Sequence, residues 1–304
     1  MDSIKKNIVT IGSFDGVHLG HQSVLEHINK LANEMNGHKI VVTFDPHPRK
    51  VLAPQKELDI LTTTEEKIKL LKKYGVDEVV VVPFNAEFAN QSPIEYLENF
   101  LHKKLNTKYL VIGFDHKFGK DRAGDIHFLE TNADQFGINI IEIPPNTLEN
   151  IKISSTNIRN SILNNEFDNA IQLLGHPYLL SGRVILGSQL GRTIGFPTAN
   201  ISVPESDKLI PENGIYAVKT TIDGIDYKGM LYIGNRPTIN DHLAKTIELN
   251  IIDFNQDIYE RNINIEIISY IRGDKKLENL EALKTQIEAD KVIILNKLST
   301  YDLL

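Results

Sequence analysis

The chain has 304 residues, of which 41% are hydrophobic and 24% charged, so it suits two globular domains and has apolar residues for a core in each. A formal net charge of −7 argues against nucleic acid or an anionic membrane surface as the main partner. There is no cysteine, which excludes disulfides and thiolate metal sites and fits a reducing compartment.

The N-terminal MDSIKKNIVTIG has no apolar run of signal-peptide length, and no stretch is long enough to cross a bilayer; the expected location is the cytoplasm. Ile8 to Ile11 reads as a strand. It runs into Gly12-Ser13-Phe14-Asp15-Gly16-Val17-His18-Leu19-Gly20-His21. An amphipathic helix follows, with Val24, Leu25, Ile28, Leu31, Ala32 and Met35 on one stripe. A strand, a glycine turn and a helix start form an anion site, because free N–H groups and the helix dipole both point at it. His18 and His21, three apart, are predicted to face the same way, where imidazoles can donate to phosphate oxygens, strongly so when protonated. Spacing alone leaves open that they are ordinary surface histidines.

Lys39 to Phe44 reads as a second strand, ending in the turn Asp45-Pro46-His47-Pro48. Thr62 to Glu66 offers a capping box for a helix carrying Ile68, Leu70 and Leu71 and ending at Gly75. Val79 to Val82 reads as a strand buried on both faces. Ser92-Pro93 is the expected start of a helix with Tyr96, Leu97, Phe100 and Leu101 inward. Tyr109 to Ile112 is a strand, Asp125 to Phe136 a helix closed by Gly137, and Ile138 to Ile143 a further strand. Such alternation predicts a parallel sheet covered on both faces, with ligands at the carboxyl ends of its strands. Ile153-Ser154-Ser155-Thr156-Asn157-Ile158-Arg159 opens a helix expected to run to about Leu174. Its hydroxyls suit a helix cap, and with Arg159 they also suit a triphosphate.

Gly175-His176-Pro177 breaks that helix and the pattern changes. Strands follow one another at Leu179 to Leu186, Gly214 to Ile222, Lys228 to Ile233, Thr246 to Asp253 and Asn264 to Ile271, with a hairpin signal at Asp223-Gly224. A last helix, Glu278 to Leu298, carries Leu280, Leu283, Ile287, Ile294 and Leu298. The expected architecture is an α/β Rossmann-like domain over residues 1–175, then a small antiparallel β-barrel with a C-terminal helix over 176–304. Between the first barrel strands lies Gly191-Arg192-Thr193-Ile194-Gly195-Phe196-Pro197-Thr198-Ala199-Asn200, which by composition is a shaped turn. Glu248, by pattern, is an outward residue of an alternating strand.

The stretch FDGVHLGH resembles the H-x-G-H signature of nucleotidyltransferases, and in full the FAD synthetase module of bacterial bifunctional riboflavin kinase/FAD synthetases. Gly191 to Asn200 resembles the riboflavin kinase motif G-R-x-x-G-F-P-T-A-N, and the likeness extends over nearly the whole chain. The implied fold is the nucleotidyltransferase α/β domain with the kinase barrel. The implied activity is phosphorylation of riboflavin to FMN and adenylylation of FMN to FAD, with ATP as co-substrate of both. The resemblance implies that His18 and His21 are catalytic, and that Gly12, Ser13, Phe14, Asp15 and Gly20 surround the nucleotide. Asp115 belongs to a matching nucleotide and flavin loop, and Ser154, Ser155, Thr156 and Arg159 to a phosphate-binding S-S-T-x-I-R. In the barrel it implies Gly191, Arg192, Thr193 and Gly195 at nucleotide, Thr198 and Asn200 on Mg²⁺, and Glu248 as the base for the ribityl hydroxyl. Leu190 and Glu260 stand where the family commonly has glycine, His116 where it has an aromatic, and Asp274 and Leu277 where it has Glu and Phe. Riboflavin, FMN and ATP are the expected partners, without nucleic acid or membrane; no sequence feature specifies an oligomeric state.

Overall fold

The computed structural model describes residues 6–113, 117–144, 147–148, 151–187, 190–236, 244–275 and 277–303. Packing divides the chain into two compact units, Met1–Ser155 and Thr156–Leu304. Among the described residues no helix is long and apolar enough to cross a membrane.

The first unit is built on a five-stranded sheet. Its strands are β1 (Asn7–Ile11), β2 (His38–Asp45), β3 (Glu78–Pro83), β4 (Thr107–Gly113) and β5 (Asn139–Ile143), in the order β3-β2-β1-β4-β5 and all parallel. This order reverses direction between β1 and β4, so the loop after β1 lies at the switch point, where open α/β sheets bind ligands. Helix α1 (Leu19–Met35) follows that loop and buries Leu25, Ile28 and Ala32. Helix α2 (Thr64–Lys73) has the expected capping box, with Thr63 as N-cap and Glu66 answering it. Its buried face differs from the predicted stripe: Glu66 and Lys67 are buried with Leu70 and Leu71, while Ile68 is half-buried. β3 differs too. It is an edge strand, and only Val82 of its valines is fully buried, because no strand covers its outer side.

Ser92 caps α3 (Pro93–Glu95), which continues as a π-helical stretch, Tyr96–Lys104, and buries Tyr96, Leu97, Phe100 and Leu101 as expected. The helix expected to end at Phe136 stops earlier, as α4 (Ile126–Asn132). A 3₁₀ turn, Asp134–Phe136, then leads to Gly137 in the left-handed region.

The segment expected to be one helix from Thr156 to Leu174 is two, α5 (Ser155–Leu163) and α6 (Phe167–Leu174). Asn165 breaks it by taking a positive φ of 60°. Phe167 of α6 packs edge-on against the rings of Tyr178 and Tyr216. These belong to a closed six-stranded antiparallel barrel: β6 (Tyr178–Ile185), β7 (Ala199–Ser202), β8 (Gly214–Ile222), β9 (Ile225–Arg236), β10 (Ala244–Ile251) and β11 (Asn262–Arg272), in the order β8-β9-β10-β7-β6-β11. β8 and β9 turn at Asp223 and Gly224, both at positive φ, as their Asp-Gly signal requires. β7 is the strand that composition concealed, being four residues long. Helix α8 (Leu280–Tyr301), after the short α7 (Leu190–Thr193), closes one side with Ile294 and Leu298. On the same face Asp290, wholly buried, receives three hydrogen bonds from the Arg272 guanidinium at 2.7–3.1 Å.

Candidate active sites

The loop between β1 and α1 holds backbone conformations that side chains normally avoid. Phe14 and Val17 have φ of 47° and 40°, and Gly16 follows the same course at 84°. A β-branched valine at positive φ is strained, and such strain persists only where the surroundings over-determine it. Here they do. Asp15 is buried, and its Oδ1 accepts from the Leu61 and Thr62 N–H groups at 2.8 and 3.1 Å. The Thr62 hydroxyl accepts from Gly16 N–H at 3.0 Å, and Gln22 Nε2 donates to the Val17 carbonyl at 2.9 Å. Asp15 therefore shapes the loop with its carboxylate. Its carbonyl accepts from the Ser155 hydroxyl at 2.9 Å, which ties Ser155, the neighbour of Ser154 in the chain, to the same loop.

His18 is the N-cap of α1, just outside the first turn. Its Nδ1 accepts the His21 N–H at 3.3 Å, so in the neutral ring Nε2 carries the proton and is the donor nitrogen. The His18 and His21 rings stack, with centroids 3.7 Å apart and planes 13° from parallel. Phe14 lies against His21 at 4.9 Å. A Cβ on Gly20 would come within 3.2 Å of the His18 ring, so the glycine leaves the imidazole its seat. Burial, then His18, then the nearby Lys67 ammonium hold the His21 pKa well below its ordinary value. This changes the expected chemistry: His21 is a neutral donor at pH 7, and its Nδ1 is buried without a hydrogen-bond partner. Gly12 and Ser13 complete the loop, Gly12 N–H on the Val42 carbonyl at 3.1 Å and the Ser13 carbonyl on the Thr43 hydroxyl at 3.0 Å.

Lys67 is the member of this neighbourhood that the sequence did not disclose. Its Nζ donates to Thr43 Oγ1 at 3.1 Å, and it is 4% exposed. A lysine at a helix position shared with Leu70 and Leu71 was the available signal. Asp115 lies outside the described residues. Thr156 and Arg159 are on the first turns of α5, with Arg159 buried.

In the barrel, Glu248 and Asn200 face each other across β10 and β7, and Ala199 pairs Leu249. Thr198 Oγ1 donates to Glu248 Oε2 at 3.2 Å. Asn250 Nδ2 holds the Pro197 carbonyl at 2.8 Å, fixing the approach to β7. The loop ahead of it is folded by its own backbone: Phe196 N–H reaches the Gly191 carbonyl at 2.8 Å, and Gly195 has a φ of 86°. Gly191, Arg192 and Thr193 form the end of α7. A cavity of about 480 Å³ opens here, lined by Arg192, Thr198, Phe254, Asp257 and Tyr259 among others, a size that admits a nucleotide-scale ligand. Glu248, outward by pattern, thus stands beside Thr198 and Asn200. Strand pairing brings the three together.

Gly187 touches this site closely. Any Cβ there would overlap the Asn200 carboxamide. We expect Gly187→Ala to push Asn200 aside and, if Asn200 has the role that the resemblance implies, to lower riboflavin phosphorylation about 10²-fold, the usual loss for a misplaced group, without changing FMN adenylylation. Separate rate assays with riboflavin and with FMN check this. Glu260, where the resemblance suggests glycine, does take a left-handed φ of 65°. Its N–H donates to the Val184 carbonyl at 2.9 Å and its carboxylate pairs with Arg183, so the loop keeps its course despite the side chain.

Residues 1–157 match the FAD synthetase family and residues 174–298 the riboflavin kinase family. A bifunctional riboflavin kinase/FMN adenylyltransferase of Listeria monocytogenes is 41% identical over 93% of this chain and 90% of its own. Proteins of that name from Haemophilus influenzae and Escherichia coli K12 are 40% and 35% identical, over 93% and 94% of this chain and 91% and 90% of theirs. A crystal structure from Streptococcus pneumoniae, described as a macrolide-efflux protein, superposes with a TM-score of 0.86 at 33% identity, covering 97% of this chain and 96% of that one. With both domains matched and both loops built as described, the chain belongs to the bifunctional riboflavin kinase/FMN adenylyltransferase family.

Proposed function

We propose that this chain phosphorylates riboflavin to FMN with ATP and then adenylylates FMN to FAD, releasing pyrophosphate. The observation that carries the reading is the pairing of Glu248 with Asn200 across β10 and β7, with Thr198 bonded to the same carboxylate, in a chain that also carries the stacked His18 and His21. A barrel that only held flavin has no use for that set. We assign adenylyl transfer to residues 1–175 and riboflavin phosphorylation to residues 176–304.

In the barrel, Glu248 accepts the proton of the riboflavin 5′-hydroxyl as that oxygen attacks the γ-phosphorus of ATP, the bond to the β,γ-bridging oxygen breaks and ADP leaves. Thr198 orients the carboxylate. Thr198 lines the cavity, and with its partner Glu248 and the paired Asn200 it offers oxygen donors that fit Mg²⁺, which binds through few protein oxygens, waters and substrate phosphates. When bound, the metal supplies charge neutralisation on the phosphates. Gly191, Arg192, Thr193 and Gly195 shape the nucleotide side of the loop.

In the first domain, an FMN phosphate oxygen attacks the ATP α-phosphorus and pyrophosphate leaves. That oxygen is already ionised, so positioning and charge stabilisation carry the step. His18 and His21 donate N–H bonds to the oxygens gaining charge. Gly12, Ser13, Phe14, Asp15 and Gly20 hold the loop around the nucleotide. Asp115 is assigned to the nucleotide, and Ser154, Ser155, Thr156 and Arg159 to the leaving pyrophosphate. We assign the protein to the cytoplasm, on its cysteine-free composition.

The test is chromatography of products from riboflavin, ATP and Mg²⁺. FMN appearing first and FAD after it is the expected result. FAD formed only from supplied FMN would remove the kinase half.

A further inference from the structure

Lys67 is buried in the first unit, and two of its three ammonium protons have no acceptor among the described residues. It sits on α2, 4% exposed, and Thr43 Oγ1 is its one hydrogen-bond partner among the described residues, at 3.1 Å. No described carboxylate forms an ion pair with it. Thr43 is fully buried and passes its own proton to the Ser13 carbonyl at 3.0 Å, so the lysine is wired to the strained loop that presents His18. Asp15 and Asp45 face the ammonium electrostatically, as does the His21 imidazole, whose Nδ1 is itself buried without a partner. The Asp15 carboxylate that would balance the charge is turned to the Leu61 and Thr62 N–H groups.

A buried ammonium without a close counter-ion is costly unless something else answers its charge. A structural lysine would end on a carboxylate. This one ends on a neutral hydroxyl, beside an imidazole that also lacks a partner, at the carboxyl edge of the sheet. The missing partner is therefore an anion. We propose that Lys67 is a further phosphate-directed residue of the adenylyl-transfer site, its ammonium serving the nucleotide phosphates alongside His18 and His21. This rests on the adenylyl-transfer reading of that loop. Lysine suits the part, since it is a compact point charge with donors that can turn to a moving oxygen.

The experiment compares the full-length parent with Lys67→Met and Lys67→Arg. FMN formation from riboflavin serves as an internal control, because the kinase site lies in the other unit. Expected for Lys67→Met is a fall in kcat/KM for FAD formation of about 10²-fold, with FMN formation at the parental level. Lys67→Arg recovers part of the loss. NMR titration of the His21 imidazole in Lys67→Met should move upward, because a neighbouring positive charge has gone; a packing role alone would not move it. Near-parental FAD formation in Lys67→Met, or an unmoved His21 titration, overturns the proposal. If Lys67→Met does not fold, the parent decides. The Lys67 side-chain resonance must respond to α,β-methylene-ATP, and a resonance unchanged at saturation overturns it equally. A parent that makes no FAD at all would instead defeat the underlying assignment, so the two failures are distinct.

Discussion

A His21→Ala variant should lose FAD formation by about 10²–10³-fold and still turn riboflavin into FMN at the parental rate. The size follows from the site. His21 is half-buried with its Nδ1 enclosed, stacked on His18 at 3.7 Å, and neutral at pH 7, which suits the proposed role of a preorganised N–H donor and not of a mobile cation. A donor that needs no reorganisation stabilises the charge developing on phosphate oxygens at the moment of transfer. Alanine removes that donor and the ring that steadies His18. The two assays are run on one preparation, with FMN supplied for the second reaction. FAD formation persisting near parental levels would withdraw the histidine assignment.

The same burial gives a pH signature. His21 titrates well below the 6.5 of a free imidazole, so below that pH the unfolded chain takes up a proton that the folded chain refuses. Stability attached to this group is complete above about pH 6.5 and declines as the pH falls towards the folded value. Denaturant melts of the parent at neutral and acid pH should show this slope, and His21→Ala should lack that part of it.

The second large effect is expected from Glu248→Gln. Glutamine keeps the shape and can still accept the Thr198 hydroxyl, which reaches Oε2 at 3.2 Å in the parent. It cannot take the proton of the attacking hydroxyl. Riboflavin phosphorylation should fall by about 10²–10⁴-fold, while adenylylation of supplied FMN is unchanged. Because the change is isosteric, thermal stability should stay close to that of the parent. A variant that phosphorylates riboflavin normally would strip Glu248 of its role as base.

Local pattern revealed most of the fold and part of the sites. Helix starts were legible because capping is local: the capping box of Thr63 with Glu66 and the helix start at Ser92-Pro93 both formed as read, and the structure adds Glu95 as the residue that answers Ser92. The loop at His18 was legible as a strand, glycine turn and helix. What held that loop was not, since the Asp15 contacts come from residues 46 and 47 positions away. Lys67 does not stand out in the sequence, because lysines on helices usually face solvent, and only the fold brings Thr43 to it. β3 was read as buried on both faces because its valines are continuous, yet position in a sheet is not written in one strand. Ala199–Ser202 was too short to show a strand period, so the partner of Glu248 stayed hidden until the barrel closed.

That closure has a practical consequence. Side chains alternate along a strand, so slipping β7 against β10 by a single residue would turn either Asn200 or Glu248 away from the other. A refolded population with this seam mispaired would retain its β-sheet signal in circular dichroism and make no FMN. Turnover of riboflavin therefore counts correctly joined barrels molecule by molecule, and it can score refolding conditions that spectroscopy ranks as equal.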